Sequence, residues 1–285
     1  MSYANPTSLV STEWLSQHIS APDIRVVDAS WYMPAEKRDP KAEFAECHIP
    51  GAVFFDIDDI ADTDTALPHM VPSPEKFSSR MRKLGLGDGN RIVVYDGAGI
   101  RSAARAWWMI RLFGHQDVSI LDGGLPKWQR EGRPVSDLPN KPSERHFTSR
   151  INSMMLKDKT QIRKNIETGK EQVLDARSQG RFEGSEPEPR EGLRGGRIPS
   201  SFNLPFNQLL TEDGTLVSAN KLTELFDKAG IDRSKPVITT CGSGITACVL
   251  AFGLHMIGHQ RVAVYDGSWT EWGLDEAMPL STGAR

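Results

Sequence analysis

The sequence predicts an α/β protein of two homologous domains, each a mainly parallel sheet flanked by helices. The first observation behind this is a repeat. FGHQDVSILDGG (113–124) aligns without a gap on IGHQRVAVYDGS (257–268) at an offset of 144, which Trp128 and Trp272 also keep. Three further blocks recur in the same order: VVDAS (26–30) on VLDAR (173–177), HIPGA (48–52) on RIPSS (197–201), and RIVVYDGAGI (91–100) on PVITTCGSGI (236–245). The second observation is the alternation, within each half, of short β-branched runs with stretches of helical apolar spacing, the pattern of strand–helix–strand units. The third is length: 285 residues suit two domains at roughly 150 residues each.

In chain order, RVVD (25–28), AVFF (52–55), IVVYD (92–96) and VSILD (118–122) read as buried strands of a first domain spanning residues 1–135. Between the last two, SAARAWWMIRLFG (102–114) has helical spacing and stops at Gly114. Residues 136–160 are polar, contain Pro139 and Pro142 and show no period, so they read as a linker. A second domain over 161–285 repeats the pattern with QVLDA (172–176), SFNLP (201–205), PVITT (236–240), the helix TACVLAFGLHMIG (246–258) and VAVYD (262–266).

Composition narrows the function. Lys plus Arg number 34 and Asp plus Glu 37, a net charge of −3, so no general attraction for nucleic acid or an anionic membrane is expected. No apolar run approaches the roughly 18 residues of a membrane-spanning helix. The N-terminal residues lack the pattern of a secretory or organellar leader, which points to the cytoplasm. The three cysteines, Cys47, Cys241 and Cys248, cannot make a disulfide framework and suit a reducing compartment.

In open α/β sheets, ligands bind beyond the carboxyl ends of the strands, which directs attention to the loop after PVITT. There Cys241 closes the strand, Gly242-Ser243-Gly244 follow, and a helix begins near Ile245. Two glycines permit a tight turn that aims successive N–H groups at one point, and the helix start adds unpaired donors. Such a cradle favours a thiolate, the nucleophilic form of a cysteine. Cys248 falls inside the helix and reads as core, and Cys47 as structural. The first half carries Asp96 where the second has Cys241, so one nucleophilic sulfur per chain is expected, in the C-terminal domain.

CGSGITAC (241–248), the DGG and DGS blocks, HIPGA and GRFEGSEPEPREG (180–192) together resemble the tandem-rhodanese sulfurtransferases, and among these the 3-mercaptopyruvate sulfurtransferases. The resemblance covers nearly the whole chain. It implies two rhodanese-like domains, with the cysteine of the second receiving sulfur as a persulfide. It also implies a sulfur donor (3-mercaptopyruvate, with thiosulfate as the alternative) and a thiol acceptor such as a thioredoxin-like protein. No cofactor or metal is implied. Thiosulfate-using relatives typically place basic side chains just after the cysteine, whereas Gly242, Ser243, Gly244, Ile245 and Thr246 are neutral, which suits a monoanionic keto acid better. Matching through RF and EPR assigns Arg181 and Arg190 to the donor carboxylate, for which guanidinium forks have the right geometry. Residues of composition alone would equally let these arginines neutralise Glu183, Glu186, Glu188 and Glu191. The same resemblance assigns Asp58, His69 and Ser243 to a proton relay. The chain departs from the family pattern where Arg197 and Ser200 replace the usual His and Gly of HIPG.

Two other readings fit less well. GSGITA (242–247) matches a dinucleotide-binding fingerprint, with Asp266 as the distal acid, but only 19 residues follow Asp266. A cysteine phosphatase would need an Arg six residues after the cysteine, where this chain has Ala247. A sulfur carrier without turnover is a further alternative.

Overall fold

The computed structural model describes residues 2–284. Its first sheet holds β1 (Leu9–Val10), β2 (Ile24–Asp28), β3 (Val53–Phe54), β4 (Arg91–Tyr95) and β5 (Val118–Leu121). The second holds β6 (Leu156–Lys157), β7 (Gln172–Asp175), β8 (Phe202–Asn203), β9 (Val237–Thr240) and β10 (Val262–Tyr265). The strand orders, β1-β5-β4-β2-β3 and β6-β10-β9-β7-β8, are the same, and every ladder is parallel. In each sheet the winding direction reverses between the second and fourth strands, so the second domain has its switch point between β7 and β9.

The six internal strands and the edge strands β3 and β8 form where the apolar runs predict them. The other two edge strands, β1 and β6, do not announce themselves, because each is two residues long and lies outside any such run. This moves a boundary: Leu156 and Lys157, inside the expected linker 136–160, pair with Val264 and Tyr265 of β10 and belong to the second sheet. The first residues also sit differently from expectation. Tyr3 donates its hydroxyl to Val217 O at 2.8 Å, Ala4 N–H to Met256 O at 2.8 Å and Asn5 Nδ2 to His255 O at 2.7 Å, so the chain's start is fastened to the second domain.

The core explains why the two halves act as one body. The helices Ala103–Leu112 and Ala247–Met256 pack against each other across the domain boundary. Nearly every residue of both is buried, as expected of helices that are apolar all round. They belong to one hydrophobic cluster running from Val27 and Ile92 of the first sheet to Leu174 and Val264 of the second. Two smaller clusters cover the outer faces, one around Leu15 and Trp128, the other around Ile162 and Trp272. Trp128 and Trp272 play the same part: each indole N–H donates to a proline carbonyl, Pro134 at 2.7 Å and Pro279 at 2.8 Å, closing its domain.

The repeated HIPG and RIPS segments end alike, His48 bridging Ser136 and Arg197 bridging Ser281. Gly51 has φ +76°, and Ser200, its counterpart, is held at φ +64°, a region that disfavours residues with a Cβ. Ser200→Gly is expected to raise stability by about 1 kcal/mol, measured as a shift in urea midpoint at unchanged m value.

His255 lies in the domain interface, its Nε2 2.9 Å from Ser8 Oγ. Burial pushes its imidazole down to about 4, with Arg111 acting in the same direction. The fold therefore favours the neutral ring. The resulting stability is present above the unfolded value near 6.5 and is lost as pH falls toward 4, by up to about 3 kcal/mol. His255→Gln should flatten that limb of the stability–pH curve; an unchanged acid limb would place the loss elsewhere.

Candidate active site

The switch point fixes where the site is. Asp175 of β7 pairs with Thr240 of β9, and Ala176 N–H donates to Thr240 O at 2.9 Å, so residues 176–178 run beside Cys241. Cys241 is 2% exposed and lies at the floor of a cleft of about 470 Å³. Gly242, Ser243, Ile245 and Thr246 line the same cleft, as do Arg177, Arg181 and Arg190 from the β7–β8 connection and Trp31, Met33 and Arg101 from the first domain.

The loop's carbonyls are anchored one by one. Cys241 O accepts from Trp269 N–H at 2.9 Å, and Gly242 O accepts from Thr270 N–H at 2.8 Å and Thr270 Oγ1 at 2.7 Å. Gly244 O accepts from Arg105 Nη1 and from the Cys248 thiol, both at 3.3 Å. In a trans peptide the N–H points opposite to the C=O. Pinning these carbonyls to the scaffold therefore turns the N–H groups of Gly242, Ser243 and Ile245 the other way. Gly244 adopts φ +80°, and a Cβ there would lie 2.8 Å from Asp266 O, so the turn requires glycine. The helix itself begins at Ala247, with Thr246 as its cap, slightly later than the sequence suggests.

The first domain shows what such a loop holds. Asp96, fully buried at the position of Cys241, accepts from Ala98 N–H at 2.8 Å, Arg101 N–H at 2.7 Å and Ala103 N–H at 2.8 Å. One domain thus closes its amide cradle with its own carboxylate, and the other presents a sulfur at the equivalent place. Asp96→Ala leaves three buried donors unsatisfied and is expected to cost about 2–4 kcal/mol of stability, read from denaturant unfolding, with the Cys241 thiol still titratable.

The cationic wall comes from the segment following β7. Arg181 lies on a short helix, Gln179–Glu183, and not in an irregular loop; Ser178 caps it by accepting from Arg181 N–H at 3.4 Å. Arg181 Nη2 approaches Gly242 and is paired with Glu188 Oε2 at 2.6 Å. Glu188 is shared: its other oxygen lies 2.7 Å from Arg177 Nη1, and Arg177 in turn pairs with Asp175 at 2.7 Å. Glu183 and Glu186 bond Gln179 and Ser178, so of these neighbouring acids Glu188 is the one that neutralises Arg181. Arg190 differs, donating to Ser243 Oγ at 3.3 Å. Burial lowers its guanidinium, and Cys241 acts to raise it. Three guanidinium groups thus face two carboxylates, leaving one positive charge in excess beside the sulfur.

His69 and Asp58 lie together and Ser243 does not join them directly. His69 Nδ1 is 2.8 Å from Asp58 Oδ1, Trp31 Nε1 donates to Asp58 Oδ2 at 3.1 Å, and the Trp31 ring meets His69 edge-on at 4.6 Å. Burial pulls the His69 imidazole below its ordinary value more strongly than Asp58 raises it, so the ring is neutral near pH 7. Burial raises the Asp58 carboxyl, but its contacts with His69 and Trp31 outweigh that and leave it below the usual range. His69 is 5% exposed, and its Nε2 has no hydrogen-bond partner among the described residues. Cys248 is fully buried, and burial pushes its thiol up to about 12, as suits a core position. Cys47 lies elsewhere, accepting from Gln129 Nε2 at 3.1 Å. Among the described residues no group of three or more His, Cys, Asp or Glu is arranged to hold a metal, and no helix is long and apolar enough to cross a membrane.

The family described as "Rhodanese-like domain" matches residues 11–131 and again 158–275. The chain belongs to the rhodanese family of sulfurtransferases. It is 42% identical over 271 residues to the human 3-mercaptopyruvate sulfurtransferase, covering 93% of this chain and 91% of that one. It is 43% identical to the rat thiosulfate sulfurtransferase, again covering 93% and 91%. Among solved structures, the 3-mercaptopyruvate sulfurtransferase SseA of Escherichia coli superposes with a TM-score of 0.85 at 38% identity, covering 92% of this chain and 98% of that one. This sulfurtransferase thus has near-equal identity to users of two donors, so overall likeness does not choose between them.

Of the residues named from the sequence, Cys241, Gly242, Ser243, Ile245, Thr246, Arg181 and Arg190 line one cleft. The sequence did not single out Glu188 from the four acids beside the arginines, nor mark Arg177, which shares Glu188 with Arg181, or Arg105, which reaches the loop from the other domain. Glu188 sits among three other acids, and Arg105 within an apolar helix, so neither pattern marks them. Asp266, weighed as a ribose ligand, is occupied: it pairs with Arg105 at 2.7 Å and accepts from Val71 N–H at 2.6 Å.

Proposed function

We propose that this sulfurtransferase takes sulfur from 3-mercaptopyruvate onto Cys241 and passes it to a thiol acceptor. The observation that carries the donor assignment is the single surplus positive charge beside Cys241, which matches a monoanionic carboxylate better than the dianion thiosulfate. Arg190, free of a carboxylate partner among the described residues, and Arg181 hold the donor's carboxylate and ketone.

The Cys241 thiolate attacks the donor's thiol sulfur. The carbon–sulfur bond breaks, its electron pair leaves on C3 as the enolate of pyruvate, and a sulfur–sulfur bond forms on the enzyme. The enolate needs one proton and the new persulfide has one to lose. Neutral His69, oriented by Asp58 through Nδ1, carries that proton, and Ser243 completes the path on the loop side. The persulfide anion rests on the amide cradle of residues 242–246. An acceptor thiolate then attacks the outer sulfur and regenerates Cys241, a covalent route that calls for no cofactor. A thioredoxin-like dithiol suits this step, since its second thiol releases the sulfur as sulfide by forming a disulfide. Three reduced cysteines suit a cytoplasmic location, although an Arabidopsis relative, 42% identical, is named mitochondrial.

Side-by-side kinetics test the donor. The value of kcat/KM for mercaptopyruvate should exceed that for thiosulfate at least tenfold; the reverse order makes the chain a thiosulfate sulfurtransferase. Cys241→Ser should abolish pyruvate release and the gain of one sulfur in the intact mass. Arg190→Ala should raise KM for mercaptopyruvate by about 10–100-fold and change thiosulfate kinetics much less, consistent with losing a charged hydrogen bond of about 1.5–3 kcal/mol. Equal damage to both donors would defeat the carboxylate assignment.

A further inference from the structure

Arg105 is a fully buried arginine on the first domain's interface helix, at the position where the repeat places Val249 in the second domain. Its guanidinium is surrounded by oxygen. Nη2 donates to the carbonyl of His69 and forms an ion pair with Asp266 Oδ1 at 2.7 Å; Nη1 donates to the carbonyl of Gly244 at 3.3 Å. The Trp108 ring lies against it, 4.7 Å from the guanidinium carbon to the ring centroid. Asp266 uses its other oxygen to accept from Val71 N–H at 2.6 Å. The two charges together therefore grip the backbone on both sides of Met70 and also the turn of the cysteine loop.

What they grip is under strain. His69 is held at φ +62°, where a residue with a Cβ is uncommon, and among the described residues its Nε2 has no hydrogen-bond partner to fix the ring. Such a conformation persists only if surrounding contacts impose it. The Arg105–Asp266 pair does so from across the domain boundary, and the same guanidinium anchors Gly244 O, which sets the peptide planes over Cys241.

We propose that the Arg105–Asp266 ion pair is the positioning device that registers His69 of the first domain against the cysteine loop of the second. Arg105 is thus a positioning residue, buried away from the cleft that receives donor. The pseudo-symmetric contact supports this division. Asp122, the counterpart of Asp266, accepts from Leu216 N–H of the other domain at 2.9 Å, but Val249 stands where a second arginine would be. The interface repeats the backbone clasp on both sides and places the guanidinium only on the side that carries His69 and Cys241.

The inference rests on the proton-carrying role of His69, and its test separates the two. Arg105→Lys keeps the charge but lacks the fork that reaches several oxygens at once. It should lower single-turnover pyruvate release about 10–100-fold, with KM for mercaptopyruvate within about threefold, because the carboxylate site is untouched. Arg105→Met/Asp266→Asn removes both charges together and guards against misfolding caused by one unpaired buried charge. Adding His69→Ala to either background should cost little more, since the interaction it removes is already lost. Wild-type turnover in Arg105→Lys, or losses that multiply with His69→Ala, would overturn the positioning role while leaving His69 standing. A silent His69→Ala in the wild-type background would overturn the role of His69 and the positioning inference with it, and would leave Cys241 persulfide chemistry untouched. If the double variant fails to fold, Arg105→Lys and its combination with His69→Ala decide.

Discussion

The direction in which the peptide planes of residues 241–245 are turned governs the rest of the site. Three carbonyls of that loop are tied to groups behind it, Trp269, Thr270, Arg105 and Cys248, and planarity does the remainder by presenting amides on the opposite side. The same arrangement in the first domain is filled by the Asp96 carboxylate, which receives three backbone N–H groups. A loop that satisfies a buried carboxylate in one copy is well suited to a sulfur anion in the other. Where the first domain places this carboxylate the second has a sulfur, in a loop one residue shorter before its helix.

The proposed choice of donor rests on charge. An isolated pair of cleft arginines would favour a dianion, but Glu188 and Asp175 are drawn into the wall and cancel two of three positive charges. Arg190, left pointing at Ser243, retains the surplus. The neutral residues after Cys241 and this partial cancellation act in the same direction. Relatives of nearly equal identity bear the names of different donors, so the fold does not discriminate between them.

The domain interface is part of the chemistry because the two halves of the site come from different sheets. A continuous apolar core fixes the helices Ala103–Leu112 and Ala247–Met256 against each other, and that rigidity lets a buried arginine on one helix address a loop that precedes the other. Burial of this kind is costly for a charge unless it is paired and hydrogen-bonded, and Arg105 meets that condition with Asp266 and two carbonyls. The first domain therefore contributes Trp31, Met33 and Arg101 to the walls of a cleft whose sulfur belongs to the second.

Sequence alone determined the duplication, the class of fold and the glycine-framed loop that follows Cys241, because repeats, β-branched runs and glycine spacing are local properties of the chain. It also singled out Arg181 and Arg190, though composition could not say which acids would neutralise them. The edge strands β1 and β6, the fastening of Tyr3–Asn5 to the opposite domain, and the choice of Glu188 as the partner of Arg177 left no local trace. Tertiary structure decided those, together with the pairing of His69 with Asp58 and the capture of Asp266 by Arg105. The physical reason is that a charged group's role is set by which partners surround it once water is excluded, and distance along the chain does not predict them: Glu188 lies 11 residues from Arg177 and Asp266 161 from Arg105.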